Sequence, residues 1–550
     1  MPSTPIERDT TQVPLIITSN ENDDTPRAEA HDETQIQTTE HENTQSLPAV
    51  NDDLPPPWQS IFKKEFEQSW PLMLRGAVVA GRYFAISVML GKVDERLLAP
   101  NTLINSLESI YIIFGGRSLS IIGSMISKLK GEENAEKIGL ICRQGLIFGT
   151  LISLPVTALY YFANHHMLAA FGQHPFAVEK AKDYFHAAAL GYLPLILMTA
   201  QQRLLQGLHR PIPVLASNVL HSTLSVICSY LFLFGKLDAP KLEMAGVGYA
   251  FAIAGWASLI LNTIYISCSK SLENYHLTRM QFDLTSDDFK KIITKGLPTG
   301  LQFTTENIAN MINSIFLGLH NLTALSADQM ASQIALLTSI ANGGLAQAIS
   351  VCVGESLGKK QYQAIKRYGN AGLLAGTIFP IVSLLLFLFL REQFVGLFID
   401  TSNPNNAELT RLASTFLLFE SLRQFTTGIQ FTTTGALLGL QDTAFTMKTS
   451  VAFSLFLNAA ILCLMHFALH LNSMSLFAAK TIGVGIAAFF NTGHWLLQSH
   501  EQSEQDKAEV KEIALCARLS RSVGLFCQTP ERHDISDLAR AETANAPATI

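Results

Sequence analysis

The sequence predicts an all-α polytopic membrane protein with about twelve transmembrane helices in two six-helix lobes. Three observations predict it. Only 15% of the 550 residues are charged, against roughly 25% in soluble domains, and 48% are hydrophobic. Apolar segments follow one another from about residue 70 to residue 497, each near the ~20 residues that a helix needs to span a bilayer. The two halves of that region also echo each other, which places the second six spans in the same orientation as the first.

The ends are polar and hold the mean hydropathy to +0.24. Residues 1–56 are rich in Thr, Glu, Asp and Asn and contain no Phe, Tyr or Trp. Such a segment buries too little apolar surface to offset chain entropy, so a disordered extension is expected. The start lacks the basic-then-apolar pattern of a signal peptide. Pro55-Pro56-Pro57 marks the boundary, and Trp58 to Phe66 reads as a short amphipathic surface helix with Trp58, Ile61, Phe62 and Phe66 toward lipid.

The predicted spans of the N-lobe, residues 57–268, are 70–91, 101–127, 138–165, 184–206, 213–235 and 244–268. A polar linker at 269–291 leads to the C-lobe, 292–498, with spans at 292–318, 329–353, 369–391, 409–436, 444–469 and 474–497. The spans at 101–127 and 329–353 are weak on hydropathy and rich in Ser, Gly and Asn, as expected of helices that pack closely or face a cavity. Residues 499–550 read as a polar cytoplasmic tail. One set of loops carries Lys128, Lys130, Lys137, His209, Arg210, Lys290, Lys291, Lys359, Lys360, Lys366 and Arg367. The positive-inside rule puts that set, and both termini, in the cytoplasm of an integral protein of the cell's inner (plasma) membrane. The alternate loops hold mixed charge, Asp328 among them.

The repeat rests on three anchors. Pro71 and Pro298 stand 227 positions apart, as do Gly131 and Gly358, while Gly207 and Gly439 stand 232 apart. A parallel repeat of six spans relates the halves by an axis along the membrane normal, and in transporters so built the substrate site lies between the halves.

The most informative stretch runs from Gly296 to Asn313. Gln302, Glu306, Asn310 and Asn313 form one polar stripe on an otherwise apolar helix. An ionisable side chain at membrane depth costs about 2.5–3.5 kcal/mol on insertion scales, so Glu306 is expected to face a cavity and to bind a cation or substrate. A structural role, bonding a neighbouring helix, is the simpler alternative. Other embedded polar groups are Arg75 and Arg82, Asn105, Glu108, Arg117, Arg203, and the cluster Glu420, Arg423, Gln424, Thr427 and Gln430. Arg82 with Glu108 and Glu420 with Arg423 are candidate ion pairs. Gln424 and Thr427 face alike and are candidates to line the cavity of Glu306. His466 reads as a packing residue.

The seven cysteines form no CxxC or metal-ligand pattern, and no phosphate-binding P-loop is present. No cofactor, metal, enzymatic site or nucleic-acid surface is therefore expected. Partners are limited to a small-molecule substrate and the lipid bilayer, with a monomer expected.

The chain resembles the multidrug and toxic compound extrusion family of cation-coupled efflux transporters over about residues 68–497. The resemblance rests on the paired prolines, on Val353-Gly354-Glu355-Ser356-Leu357-Gly358, and on Gly435-Ala436-Leu437-Leu438-Gly439-Leu440-Gln441-Asp442-Thr443. It implies a secondary-active transporter that exchanges H+ or Na+ for amphipathic, cationic drug-like compounds by alternating access. The family's acidic residue eight positions after the second proline falls on Glu306, and Glu306 with its stripe neighbours Gln302 and Asn310 is the candidate cation site. The substrate cavity would then be formed by Asn313, Gln424, Thr427, Gln430, Arg82 and Glu108. Two other family carboxylates have no counterpart: their positions fall at about Ile86 and at Thr427. A lipid-linked precursor flippase of the same superfamily suits the embedded arginines, and a non-transporting membrane sensor or scaffold is the reading from a different class.

Overall fold

The computed structural model describes residues 57–502 and 504, apart from 171–173, 276, 278–285, 321, 397–406 and 469–478. The expected N-terminal extension lies outside the described residues, as does most of the C-terminal tail.

The first half contains α1 (Trp58–Val93), α2 (Leu98–Ser118), α3 (Ser120–Gly131), α4 (Ala135–Ala158), α5 (Asn164–Ala170), α6 (Pro175–Gly207), α7 (Pro211–Phe234) and α8 (Glu243–Cys268). The second contains α9 (Asp287–His320), α10 (Leu322–Gly358), α11 (Tyr362–Gly396), α12 (Ala407–Gly439), α13 (Ala444–Thr449), α14 (Asn458–Cys463) and α15 (residues 479–502). The pairs α2–α3, α4–α5 and α13–α14 each run as one path, so six paths make up each half. Among the described residues there is no β-strand. Seven helical paths are long and apolar enough to cross a membrane on composition alone, and α10, bent by 42° near residue 337, makes an eighth. α6, α9, α12 and α15 carry more polar residues, which lower their hydropathy. The chain is an integral multi-pass membrane protein.

Exposed aromatic side chains such as Phe84, Phe389 and Phe489 cover the outer surface, as expected where lipid replaces water. Each half has its own core. Tyr160, Phe185, Tyr192 and Phe251 pack in the first; Phe416, Leu417 and Val395 pack in the second, with Ile349, Val353 and Trp495 in a further cluster there.

The repeat is visible in the backbone. Pro71 and Pro298 each sit a few turns inside the first long helix of their half. Glu133 and Lys360 both adopt positive φ, at 55° and 56°, and so do His209 and Gln441, at 60° and 62°. These pairs recur at the spacings of the sequence anchors, 227 and 232, so corresponding helices end in the same left-handed turn.

One expectation fails. Trp58–Phe66 is no separate surface helix; it is the first part of α1. Ile61 is fully buried, although Trp58, Phe62 and Phe66 are exposed. The helix continues because its apolar face meets the cluster around Ile349 and Tyr368.

The halves close on each other at the end that carries the basic loops. Gly131 and Gly358 let α3 and α10 touch backbone to backbone, since a Cβ on Gly358 would meet the Lys128 carbonyl. Ser124 Oγ donates to the Leu438 carbonyl at 2.7 Å. Glu355, in the same motif, gathers Lys64 Nζ at 2.8 Å, Lys359 Nζ at 2.9 Å and His209 Nε2 at 2.7 Å. Burial, reinforced by the field of Lys130, pushes the His209 ring down to about 3, against the opposing pull of Glu355. His209 is therefore neutral in the closed arrangement at neutral pH. An open arrangement that exposes the ring restores an ordinary value near 6.5. Above that pH the linkage contributes nothing; below it, the open form binds the proton and gains. At pH 5 the gain is about 2 kcal/mol. Spin labels at Lys137→Cys and Lys366→Cys should show a longer-distance population growing from pH 7 to pH 5. His209→Gln, which copies the residue at the matching turn, should remove that growth. A distance distribution independent of pH would refute the linkage.

Candidate functional site

Pro298 near the start of α9 precedes the stripe that the sequence singles out. Glu306 is held by three side chains from three elements. Its Oε1 accepts from Gln430 Nε2 of α12 at 2.7 Å, from Ser450 Oγ just after α13 at 2.9 Å, and from Gln302 Nε2 at 3.3 Å. Gln302 is itself buried and also donates to Thr434 Oγ1 at 3.2 Å. The carboxylate faces a C-lobe cavity of about 280 Å³ lined also by Asn310, Asn313, Thr427, Gln430, Arg423 and Lys480, with Arg117 reaching in from α2.

Five of the sequence-predicted residues therefore meet in one place: Glu306, Asn310, Asn313, Thr427 and Gln430. Gln302 stands behind the carboxylate and orients it. Gln424 does not line the cavity itself but donates from Nε2 to Ser339 Oγ of α10 at 2.9 Å, and Ser339 does border the cavity. Arg82 and Glu108 lie apart, in the N-lobe. They border one small cavity but form no ion pair: Glu108 accepts from Tyr184 Oη at 2.9 Å, and Arg82 stacks over Tyr83 at 4.3 Å.

Glu420 and Arg423 do pair, with Arg423 Nε at 3.0 and 2.9 Å from the two carboxylate oxygens. Sequence reasoning missed the rest of this group. Lys480 Nζ of α15 lies 3.7 Å from Asp328 Oδ1 and 3.9 Å from Glu420 Oε2, and both Lys480 and Asp328 are buried. Asp328 belongs to α10 rather than to a loop. Two acids and two bases thus form one buried, charge-balanced network, and two of its members, Arg423 and Lys480, face the cavity of Glu306. Beyond the Glu420–Arg423 pair, its sequence signal was a Lys within the predicted span 474–497. His466 makes an edge-on contact with Phe316 at 5.5 Å, a packing arrangement.

At the basic end, Asp442 Oδ2 is held by His494 Nε2 and Gln498 Nε2, each at 2.8 Å, tying α15 to the turn after α12. Burial raises the Asp442 carboxyl, but these two contacts outweigh it and hold it below the usual range.

A second cavity, about 230 Å³, lies in the N-lobe and is lined by Arg75, Arg82, Arg117 and Arg203. The two cavities adjoin, sharing Ile113 and Arg117.

A family model described as MatE matches residues 71–231 and 298–464, one match in each half. The probable multidrug resistance protein NorM of Synechococcus sp. is 25% identical over 444 residues, covering 81% of this chain and 96% of the relative. The multidrug resistance protein NorM of Aliivibrio fischeri is 25% identical over 385 residues, covering 70% and 82%. Among solved structures, a multidrug resistance MATE family transporter in an outward-facing conformation superimposes with a TM-score of 0.73 at 16% identity, covering 80% of this chain and 96% of the other. A MOP superfamily transporter from Pyrococcus furiosus gives 0.72 at 16% identity, covering 80% and 97%.

Proposed function

Because the chain belongs to the MatE family of membrane transporters, we propose that it exports amphipathic organic compounds in exchange for a proton taken up by Glu306. The observation that carries this reading is the environment of Glu306. One carboxylate faces a cavity, and three side chains donate to a single oxygen, leaving Oε2 for the incoming cation. A proton on Oε2 leaves the three hydrogen bonds to Oε1 from Gln302, Gln430 and Ser450 intact, since a neutral carboxyl still accepts at its other oxygen. A proton therefore suits the arrangement.

Exchange follows if proton and substrate favour opposite arrangements of the two halves, since a ligand shifts an equilibrium only through differential affinity. The NorM relatives are named for multidrug resistance, which supports export as the direction. The excess of Lys and Arg in the loops supports a cytoplasmic basic end and a plasma (inner) membrane location. Residues at both ends of the described chain, Lys64 and Gln498, lie at that end, so both termini are cytoplasmic in this reading.

The test is dye efflux from cells expressing the protein, using rhodamine 6G and carboxyfluorescein, with either a protonophore present or sodium removed. Efflux that stops with the protonophore and survives without sodium is the expected result. Loss on sodium removal alone would reassign the coupling ion. Efflux indifferent to both treatments would end the exchange mechanism.

A further inference from the structure

The N-lobe cavity has no use in the exchange step at Glu306, and its chemistry is one-sided. Arg75 and Arg82 of α1, Arg117 of α2 and Arg203 of α6 line it, and no carboxylate does. Among the described residues none of the four forms an ion pair. Arg203 is held by neutral oxygens only: Gln347 Oε1 at 2.8 Å, Gln206 Oε1 at 2.9 Å and the Gly116 carbonyl at 3.1 Å. Arg203 and Arg82 are 5% and 7% exposed, and the Nε of each has no hydrogen-bond partner. Arg117 lies over the Phe303 ring at 4.1 Å. Two carboxylates border the group from outside this cavity: Glu108 shares the small cavity with Arg82 and is engaged by Tyr184, and Glu306 shares the C-lobe cavity with Arg117, which leaves Arg75 and Arg203 with no carboxylate in any cavity they line.

Guanidinium groups do not lose their charge in proteins. Uncompensated charge at membrane depth is costly, and such groups ordinarily pair or mark a substrate path. Here donors outnumber acceptors, and their forked geometry matches a phosphate or carboxylate. A cationic group, expected from the family resemblance, would be repelled.

We propose that the N-lobe cavity is an anion site, and that the exported compound is an organic phosphate or carboxylate whose acidic group sits among Arg75, Arg117 and Arg203. A volume of about 230 Å³ admits a head group; the remainder of the molecule extends past Ile113 into the adjoining C-lobe cavity. This deepens the export reading and rests on it.

Binding to the purified full-length protein in nanodiscs separates the two. The probes are carboxyfluorescein, a soluble organic anion; phosphatidic acid labelled with nitrobenzoxadiazole, an anionic lipid; and rhodamine 6G, a cation. At least one anion should bind about tenfold or more tighter than rhodamine 6G. Arg75→Gln should weaken that anion about tenfold, and Arg75→Lys less, because Lys keeps the charge but loses the fork. Arg75 makes no hydrogen bond within the described structure, so its replacement spares the fold; Arg203→Gln, checked for folding by thermal melting, is the second variant. Binding of the soluble anion alone assigns a soluble substrate, and binding of the lipid alone assigns a lipid head group. Tighter binding of rhodamine 6G, no anion binding, or anion binding indifferent to both arginine variants would each overturn the proposal. Glu306→Gln should still bind the anion while losing gradient-driven export. Retained export in that variant would instead strike the coupling reading and leave the anion site standing.

Discussion

Glu306→Gln should reduce the steady-state gradient that the transporter sustains by about 50-fold at 100 mV. The size follows from the energy that the proton delivers. One charge moving through 100 mV yields about 2.3 kcal/mol, close to a 50-fold concentration ratio. A glutamine cannot carry that charge, yet it fits the site. It is the same size, and its carbonyl oxygen can still accept from Gln430 and Ser450, which hold Glu306 at 2.7 and 2.9 Å. The protein should therefore fold and reach the membrane. The measurement is probe accumulation in proteoliposomes with an imposed proton gradient and potential, for wild type and variant side by side. A variant that builds the wild-type gradient would show that the coupling proton binds elsewhere. Glu306→Asp retains an acid on a shorter arm and should recover part of the gradient.

Charge sharpens the consequence. Arg117 borders both cavities, so it lies between the Glu306 cavity and the arginine-lined pocket. The two sites are thereby linked through one side chain, and each ligand alters the field that the other meets. An organic monoanion leaving a cell that is negative inside also moves with the potential. Proton entry and anion exit then add, giving about 4.6 kcal/mol per cycle at 100 mV.

Local pattern explains what the sequence revealed and where it stopped. Helix position, the two-fold repeat and the stripe on α9 are all local signals: apolar length, Pro and Gly punctuation, and a 3.6-residue period. Glu306 was legible for that reason. Gln302 was legible as a member of the stripe, but its place behind the carboxylate depends on Thr434, 132 residues away. Ser450 gave no signal at all. Arg82 and Glu108 were paired on paper because both are buried charges on neighbouring spans; Tyr184 of α6 takes the carboxylate instead. Asp328 was read as a loop charge because a lone acid at the edge of a weak span looks solvated. Its partner, Lys480, lies 152 positions on, and no local period connects them.

That distant pairing supports the second large effect. Glu420→Gln should destabilise the protein by about 3–5 kcal/mol, the usual result of removing one partner from a buried ion pair. Glu420 is fully buried, and its two oxygens receive Arg423 from the same helix and Lys480 from α15. With the charge gone, Asp328 alone opposes two cations in a low-dielectric interior. Cooperative thermal unfolding of the purified protein in detergent measures the loss. The paired change distinguishes an electrostatic cause from a packing one. Glu420→Gln combined with Lys480→Met restores charge balance, with Asp328 left opposite Arg423, so it should unfold at a higher temperature than Glu420→Gln alone. If the two losses simply add, the four groups are not one network, and the buried lysine must be explained by the cavity that it lines rather than by its acidic neighbours.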